Sequence, residues 1–237
     1  MRLDIDIRKT LHSGARVFQL RVRLQAQGQR VVVTGPSGAG KSMLLKVIAG
    51  LVRPDAGHVR LDGQLLFDAA TGINVAPQAR ALAYLFQDYA LFPHLNVRQN
   101  VAFGLAHGWL NPRRTQADAA VDYWLDAFGL HEVAHQYPHE LSGGQRQRTA
   151  LARALVVKPR ALLLDEPFAA LDPALRERMR AELDALQQRL QVPMVLITHD
   201  AQDVAVFGDQ VLHLEAGAAA TAARSPSVNA GAGSAQS

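Results

Sequence analysis

Two stretches of this chain carry residue types at spacings that could do chemistry, and they point to different reactions. Gly35-Pro36-Ser37-Gly38-Ala39-Gly40-Lys41-Ser42 matches G-x-x-x-x-G-K-[ST] at every fixed position. Glycines let successive backbone N–H groups converge on phosphate oxygens, and a helix N-terminus adds a potential that favours anions. Lys41 would then reach the β- and γ-phosphates of a nucleoside triphosphate, and the Ser42 hydroxyl would hold Mg²⁺. The second stretch, His131-Glu132-Val133-Ala134-His135, has the H-E-x-x-H spacing. On a helix this puts two zinc ligands and a general base on one face, the apparatus of a zinc hydrolase. Shortly after it, Leu141-Ser142-Gly143-Gly144-Gln145 opens a further helical run, "GQRQRTALARAL". That makes a second helix N-terminus suited to an anion.

Context decides between these chemistries. The glycine loop follows the apolar run "VVV" at 31–33 and precedes the helical run "KSMLLKVIAG", the strand–loop–helix setting that a phosphate loop needs. A carboxylate at the end of a neighbouring strand would complete the metal shell. Asp165 closes "ALLLD" and suits an Mg²⁺ contact, which leaves Glu166 free to polarise an attacking water as general base. His199 stands between Thr198 and Asp200 at the end of another apolar run, "MVLIT", where a functional role is expected of it. The H-E-x-x-H match, by contrast, lacks the glycine and third histidine of the longer zinc pattern. Those positions hold Pro138 and Leu141. His131 and His135 read as surface residues on a short helical turn, and no zinc is expected.

These groups must be positioned by a scaffold, and the hydrophobic pattern describes one. Leu3, Ile5 and Ile7 alternate with Asp4, Asp6 and Arg8, and Phe18, Leu20, Val22 and Leu24 alternate with Gln19, Arg21 and Arg23. Both read as half-buried antiparallel strands joined at "HSGA", and "VRLDGQLLF" adds a hairpin turning at Asp62-Gly63. The runs at 31–33, 161–165 and 194–198 are continuously apolar, as parallel strands covered on both faces are. Helix signals are equally readable. Asp172 and Pro173 suit the cap and first position of a helix striped by Leu175, Met179, Leu183, Leu186 and Leu190. Thr115 and Asp118 have capping-box spacing before Trp124, Leu125 and Phe128, with Gly129 as the stop. The fold class expected is α/β: a P-loop ATPase core with a mostly parallel sheet, an antiparallel β-subdomain and an inserted helical subdomain. The domain would cover residues 1–215, with its core in 1–87 and 158–215 and the helical insert at about 95–157. Residues 216–237 are low in complexity and read as a disordered tail.

Composition bounds the remaining classes. The chain has 237 residues, 49% apolar and 19% charged, which is globular and large enough for a buried core. No run is long enough to span a bilayer, and the alternating N-terminus is unlike a signal peptide. With no cysteine there is neither a disulfide scaffold nor a thiolate metal site. A net charge of +4 is mild and reads as a solvated face.

The ordered set GPSGAGKS, the glutamine of "LFQDYALFPHL", LSGGQ, "LLLDEPFAALD" and "ITHD" resembles the ATPase subunits of ABC transporters over about residues 1 to 215. The resemblance implies roles for particular residues. Gln87 would contact Mg²⁺ and sense a membrane partner from the loop joining core to helical subdomain. Ser142, Gly143 and Gly144, with Gln145, would bind the γ-phosphate of a nucleotide held by the other subunit of a dimer. Asp172 would lie in the dimer-contact loop, and His199 would touch the γ-phosphate. One chain thus carries two phosphate grips and one lysine-bearing loop, which a head-to-tail homodimer sandwiching ATP would use in full. Partners implied are integral-membrane permease subunits and a substrate-binding protein, with the chain peripheral on the cytoplasmic face of the inner membrane.

Within that family, "LFDAATGINVAPQARALAYLFQDYALFPHLNVRQNVAFG" looks most like the ATPases of molybdate importers, and sulfate and polyamine importers share its second half. Three positions depart from the usual pattern. His12 stands where an aromatic residue stacks on adenine, leaving His12 or Phe18 for that task. Met43 and Ala170 replace a threonine and a serine. Importer ATPases of this kind usually continue into a β-rich regulatory domain, whereas here "VLHLEAG" is followed by the tail. A soluble ABC ATPase acting on nucleic acid is the alternative from another class. Such proteins carry long coiled coils between the two glycine motifs or two cassettes in one chain. Neither fits the single span from Ser42 to Ser142, and no basic–aromatic stripe is present.

Overall fold

The computed structural model describes residues 1–13, 16–105, 111–113, 118–169, 171–215 and 218–224. Two long strands, β1 (Arg2–Ser13) and β2 (Arg16–Gln27), pair antiparallel, with Leu3, Ile5 and Ile7 matched to Ala26, Leu24 and Val22. The turn residues Gly14 and Ala15 lie outside the described residues. After β3 (Arg30–Thr34) and α1 (Lys41–Ala49), β4 (Ala56–Leu61), β5 (Gln64–Asp68) and β6 (Ile73–Asn74) extend the antiparallel region. The β4–β5 turn is the expected Asp62-Gly63, at φ of 48° and 81°. The parallel region is completed by β7 (Leu82–Leu85), β8 (Ala161–Asp165), β9 (Met194–Ile197) and β10 (Gln210–Glu215).

One feature corrects the sequence reading. With a further strand, β11 (Ala218–Arg224), the antiparallel and parallel regions form a single eleven-stranded sheet, ordered β6-β5-β4-β1-β2-β11-β10-β3-β9-β8-β7. This joining strand comes from the stretch expected to be disordered. It runs antiparallel to β10 and meets β2 at the single register pair Ala218–Arg21. Composition weighs what side chains can bury, but a free strand edge recruits a partner through backbone N–H and C=O groups alone. A run of alanines serves that purpose. Residues 225–237 lie outside the described residues.

Side-chain alternation sorts the core into two layers. Val31, Val33, Leu163, Val195 and Ile197 face α1, where Leu44, Leu45 and Ile48 meet the inward residues of β1 and β2. Val32, Leu162, Leu164, Met194 and Leu196 face the opposite side, toward α4 (Gly143–Leu155), α5 (Pro173–Leu190) and α6 (Ala201–Phe207). Period two on strands covered by helices on both sides produces this division. Between Leu95 and Val157 the described residues form α2 (Val97–Ala102), α3 (Ala119–Ala127), α4 and short 3₁₀ turns, without a strand. Asp118 caps α3 itself, accepting from the amides of Ala120 and Val121 at 2.9 and 3.2 Å, while Thr115 lies outside the described residues. Asp172 caps α5 through the Leu175 amide, and Met179, Leu183 and Leu186 of the expected stripe are buried.

Arg80 ties the end of α1 to the segment after β5. It is fully buried, and its guanidinium donates to the carbonyls of Val47 and Ile48 at 2.9 and 2.7 Å, where α1 ends, and to Val75. Burial lowers its pKa, and the negative end of the α1 dipole compensates the charge. Gly50 closes α1 at φ 82°, and a Cβ there would sit 2.5 Å from Arg80 Nε.

Candidate active site

The glycine loop bridges β3 and α1, as the sequence implies. Gly35, Gly38 and Gly40 have φ of 141°, 80° and 98°, which other residues adopt only with strain. At Gly35 space is forbidden as well: a Cβ would lie 2.1 Å from the carbonyl oxygen of Leu214. At Gly40 it would lie 2.8 Å from Leu20 and 2.9 Å from Phe18. Lys41 is buried, and its ammonium donates to the carbonyls of Gly35 and Pro36 at 2.8 and 3.0 Å. The loop therefore holds its own cation over itself.

Beside the loop, Ser42 Oγ donates to Asp165 Oδ1 at 2.9 Å, and Tyr84 Oη donates to Asp165 Oδ2 at 2.9 Å. Hydroxyl and carboxylate oxygens are hard donors, a set that fits Mg²⁺. Burial, reinforced by the Asp165 charge, pushes the Tyr84 phenol far above its usual pKa, so it remains a donor near neutral pH. A cleft of about 390 Å³ opens over these groups, lined by Ser37, Gly38, Gly40, Lys41, Ser42, Gln87 and Glu166. Its apolar lining is Leu11 and Phe18, register partners on β1 and β2, with Met43 from α1. His12, the sequence candidate, is exposed and does not line the cleft. Strand alternation is the reason: Leu11 and His12 leave the strand on opposite faces, and His12 lies near Asp55.

Glu166 follows β8 at φ 48°, an uncommon conformation for a residue with a side chain, and its amide donates to Ile197 O. Its Oε2 lies 3.6 Å from His199 Nδ1. The segment carrying His199 is anchored to α5. Thr198 Oγ1 donates to Asp203 at 2.5 Å, Arg180 donates to the same carboxylate at 2.7 Å, and Arg176 and Arg180 both reach Asp200. The Gln202 amide, followed by these arginines, holds the Asp200 carboxyl below the usual range.

The second grip stands apart from this cleft. Ser142 caps α4 in a closed box: its Oγ accepts from the Gln145 amide at 3.3 Å, and Gln145 Oε1 accepts from the Ser142 amide at 2.8 Å. Because Oγ uses only a lone pair, the hydroxyl proton remains available. Gly143 and Gly144 pack on Leu171 and Leu175, which puts this turn next to the Asp172 cap. None of Ser142, Gly143, Gly144, Gln145 or Asp172 lines the Lys41 cleft. The H-E-x-x-H stretch begins with a 3₁₀ turn, His131–Val133, so no regular α-helix face aligns its two histidines. His131 pairs with Asp126 at 2.6 Å, and His135 is exposed.

Residues 19–169 match the family described as ABC transporter. The chain belongs to that family. It is 40% identical to the molybdenum import ATP-binding protein ModC of Paramagnetospirillum magneticum, over 91% of this chain and 57% of that protein. It is 47% identical to the Fe(3+) ions import ATP-binding protein FbpC of Pseudomonas fluorescens, over 80% of this chain and 52% of the relative. The chain thus spans a little over half the length of these curated relatives. Among solved structures, a dimeric bacterial ABC transporter cassette superposes with a TM-score of 0.76 at 27% identity, covering 94% of this chain and 98% of that one. No helix among the described residues is long and apolar enough to cross a membrane.

Sequence reasoning missed one residue that lines this ABC cassette's cleft, Leu11, and one that reaches it only through Asp165, Tyr84. Leu11 carries no chemical signature and is identified only by its pairing with Phe18. Tyr84 left a trace: a phenol inside the run "ALAYLFQ" has to find a hydrogen-bond partner. In the β7–β8 register Tyr84 opposes Leu163, so Asp165, two residues on, shares its face.

Proposed function

We propose that the protein is the Mg-ATP-hydrolysing subunit of an ABC importer for molybdate or a related oxyanion. The observation that carries this reading is the convergence of the Lys41 loop, the Ser42–Asp165 pair, Gln87 and Glu166 on one cleft, while the Ser142 grip lies outside it. In this reading Leu11 and Phe18 receive the adenine, and loop amides and Lys41 take the phosphates, with the ammonium exchanging its carbonyl partners for phosphate oxygens. Ser42, Asp165 and Gln87 would hold Mg²⁺, which neutralises charge on the β- and γ-phosphates when bound. Glu166 accepts a proton from water as the water oxygen bonds to the γ-phosphorus. The bond from that phosphorus to the bridging oxygen breaks, giving ADP and phosphate. His199, beside Glu166, orients it and meets the γ-phosphate. The Ser142-Gly143-Gly144 turn closes on a nucleotide held by a second copy, with Asp172 at the contact, so two sites form head to tail.

The assembly would sit on the cytoplasmic face of the membrane, docked to separate permease subunits fed by a substrate-binding protein. Molybdate is favoured by the run from Leu66 to Gly104 and by the name of a relative matched over most of this chain. Relatives named for iron, polyamine and sulfate import share the cassette, so the cargo is the finer part of the proposal.

Glu166→Gln tests the core of it. Turnover should fall by ~10²–10⁴ with Mg-ATP binding retained, since only the base is lost. Hydrolysis within a few-fold of the unmodified protein would remove Glu166 from the role. For the cargo, the chain is copurified with its membrane subunits and hydrolysis is measured with molybdate, sulfate, ferric iron and spermidine. Stimulation by a species other than an oxyanion would overturn that part.

A further inference from the structure

The loop that carries Gln87 has a backbone its own residues disfavour. Tyr89 and Ala90 have φ of 62° and 44°, two successive left-handed residues, neither of them glycine. For L-residues with a Cβ this conformation costs free energy at each position. Local bonds give part of the support: the Tyr89 amide donates to Phe86 O at 2.9 Å and the Ala90 amide to Asp88 Oδ1 at 3.2 Å. The rest comes from a distant helix. Arg153, on α4, donates to Tyr89 O at 2.7 Å through Nη2 and to Ala90 O at 2.8 Å through Nη1, one bond to each strained residue. Its guanidinium also lies 5.5 Å from the centroid of the Phe92 ring. These partners are two carbonyls and a ring face. A planar fork suits such an arrangement, and a point-charge ammonium does not.

We propose that Arg153 is the positioning residue for Gln87: its fork holds the loop in the left-handed form that presents Gln87 to the cleft. This rests on the reading of the cleft as an Mg-ATP site. Two further contacts give the clamp its reach. Tyr89 Oη donates to Pro167 O at 3.4 Å, next to Glu166, so the clamped loop also touches the segment bearing the base. Arg153 lies on the same helix that starts at the Ser142 turn, so displacement of one end of α4 carries the clamp with it. Gln87 and the second phosphate grip are then read by one rigid element.

The test combines Arg153→Met with a glycine rescue in the full chain. Arg153→Met should lower kcat about tenfold, with Mg-ATP affinity held within about twofold, because the phosphate loop is untouched. Amide hydrogen exchange should quicken at residues 88–91 and stay unchanged in β3 and α1. Adding Ala90→Gly to Arg153→Met should recover several-fold of kcat, because glycine adopts positive φ without a clamp. Arg153→Lys should fall between, since one ammonium serves two carbonyls poorly. An arginine that merely packs α4 predicts slower turnover with faster exchange throughout α4 and no gain from the glycine; that result overturns the proposal. If the unmodified protein binds no Mg-ATP, the reading of the cleft fails instead, and the clamp is judged by exchange at 88–91 alone.

Discussion

Two loops border the cleft, and they hold left-handed backbone by opposite means. The phosphate loop places glycine at each of its positive-φ positions, so its shape follows from residue type. Close approach fixes it further, with Leu214 O against Gly35 and Phe18 against Gly40. The Gln87 loop has Tyr89 and Ala90 at the equivalent strain and relies on Arg153 from another element. Under the proposed function, a cradle that meets the same phosphates in every cycle is served by intrinsic geometry. A loop that answers to something outside the cleft is better served by geometry that a neighbour can grant or withdraw.

The sharpest way to break this contrast is Gly35→Ala. The added Cβ meets a backbone oxygen that cannot rotate away, so a loss of roughly 3 kcal/mol or more in stability is expected, together with loss of nucleotide binding. Chemical denaturation and a nucleotide titration measure both, and a loss under about 1 kcal/mol would mean that the cradle is not set by its glycines. A middling effect is expected from Tyr84→Phe, which keeps the ring and removes one of the two bonds orienting Asp165. A hydrogen bond to a charged carboxylate contributes about 1.5–3 kcal/mol, so the Mg²⁺ concentration needed for half-maximal ATP binding should rise about tenfold or more. Equal Mg²⁺ titrations for the two proteins would show the phenol to be incidental. The smallest effect is Ala90→Gly with Arg153 intact. Relief of about 1–2 kcal/mol of left-handed strain, less the ~0.4–1 kcal/mol that glycine costs through a freer unfolded chain, should leave a gain of up to about 1 kcal/mol, visible as a higher thermal midpoint. A lower midpoint would say that the clamp leaves no strain to relieve.

What the sequence made legible follows the range of the forces involved. The phosphate loop, the Asp165-Glu166 strand end, the Ser142 cap and the Asp172–Pro173 helix start are set by neighbours within a few residues, so their patterns are local and readable. The buried runs forecast β3, β8 and β9 because covering on both faces demands continuous apolarity. Long-range events left weaker marks. Assigning Leu11 rather than His12 to the cleft requires the phase of β1 relative to β2, and one residue of slip reverses it. The Arg153 clamp joins residues more than sixty apart in the chain. Strand β11 is not legible in the sequence because its pairing depends on an edge exposed elsewhere, and alanines carry no signal of that edge.

The seam at β11 has a mechanical consequence. Leu11 and Phe18, the apolar jaw of the cleft, belong to the antiparallel half of the sheet, while Lys41 and Ser42 spring from the parallel half. Across the seam the sheet itself is stitched at one register pair, Ala218 with Arg21. Any molecule gripped between jaw and loop spans both halves at once and acts as a rivet, loading the joint in shear where the fabric is thinnest. Occupancy should therefore stiffen the whole plate, and emptying the cleft should let its two leaves flex about that stitch.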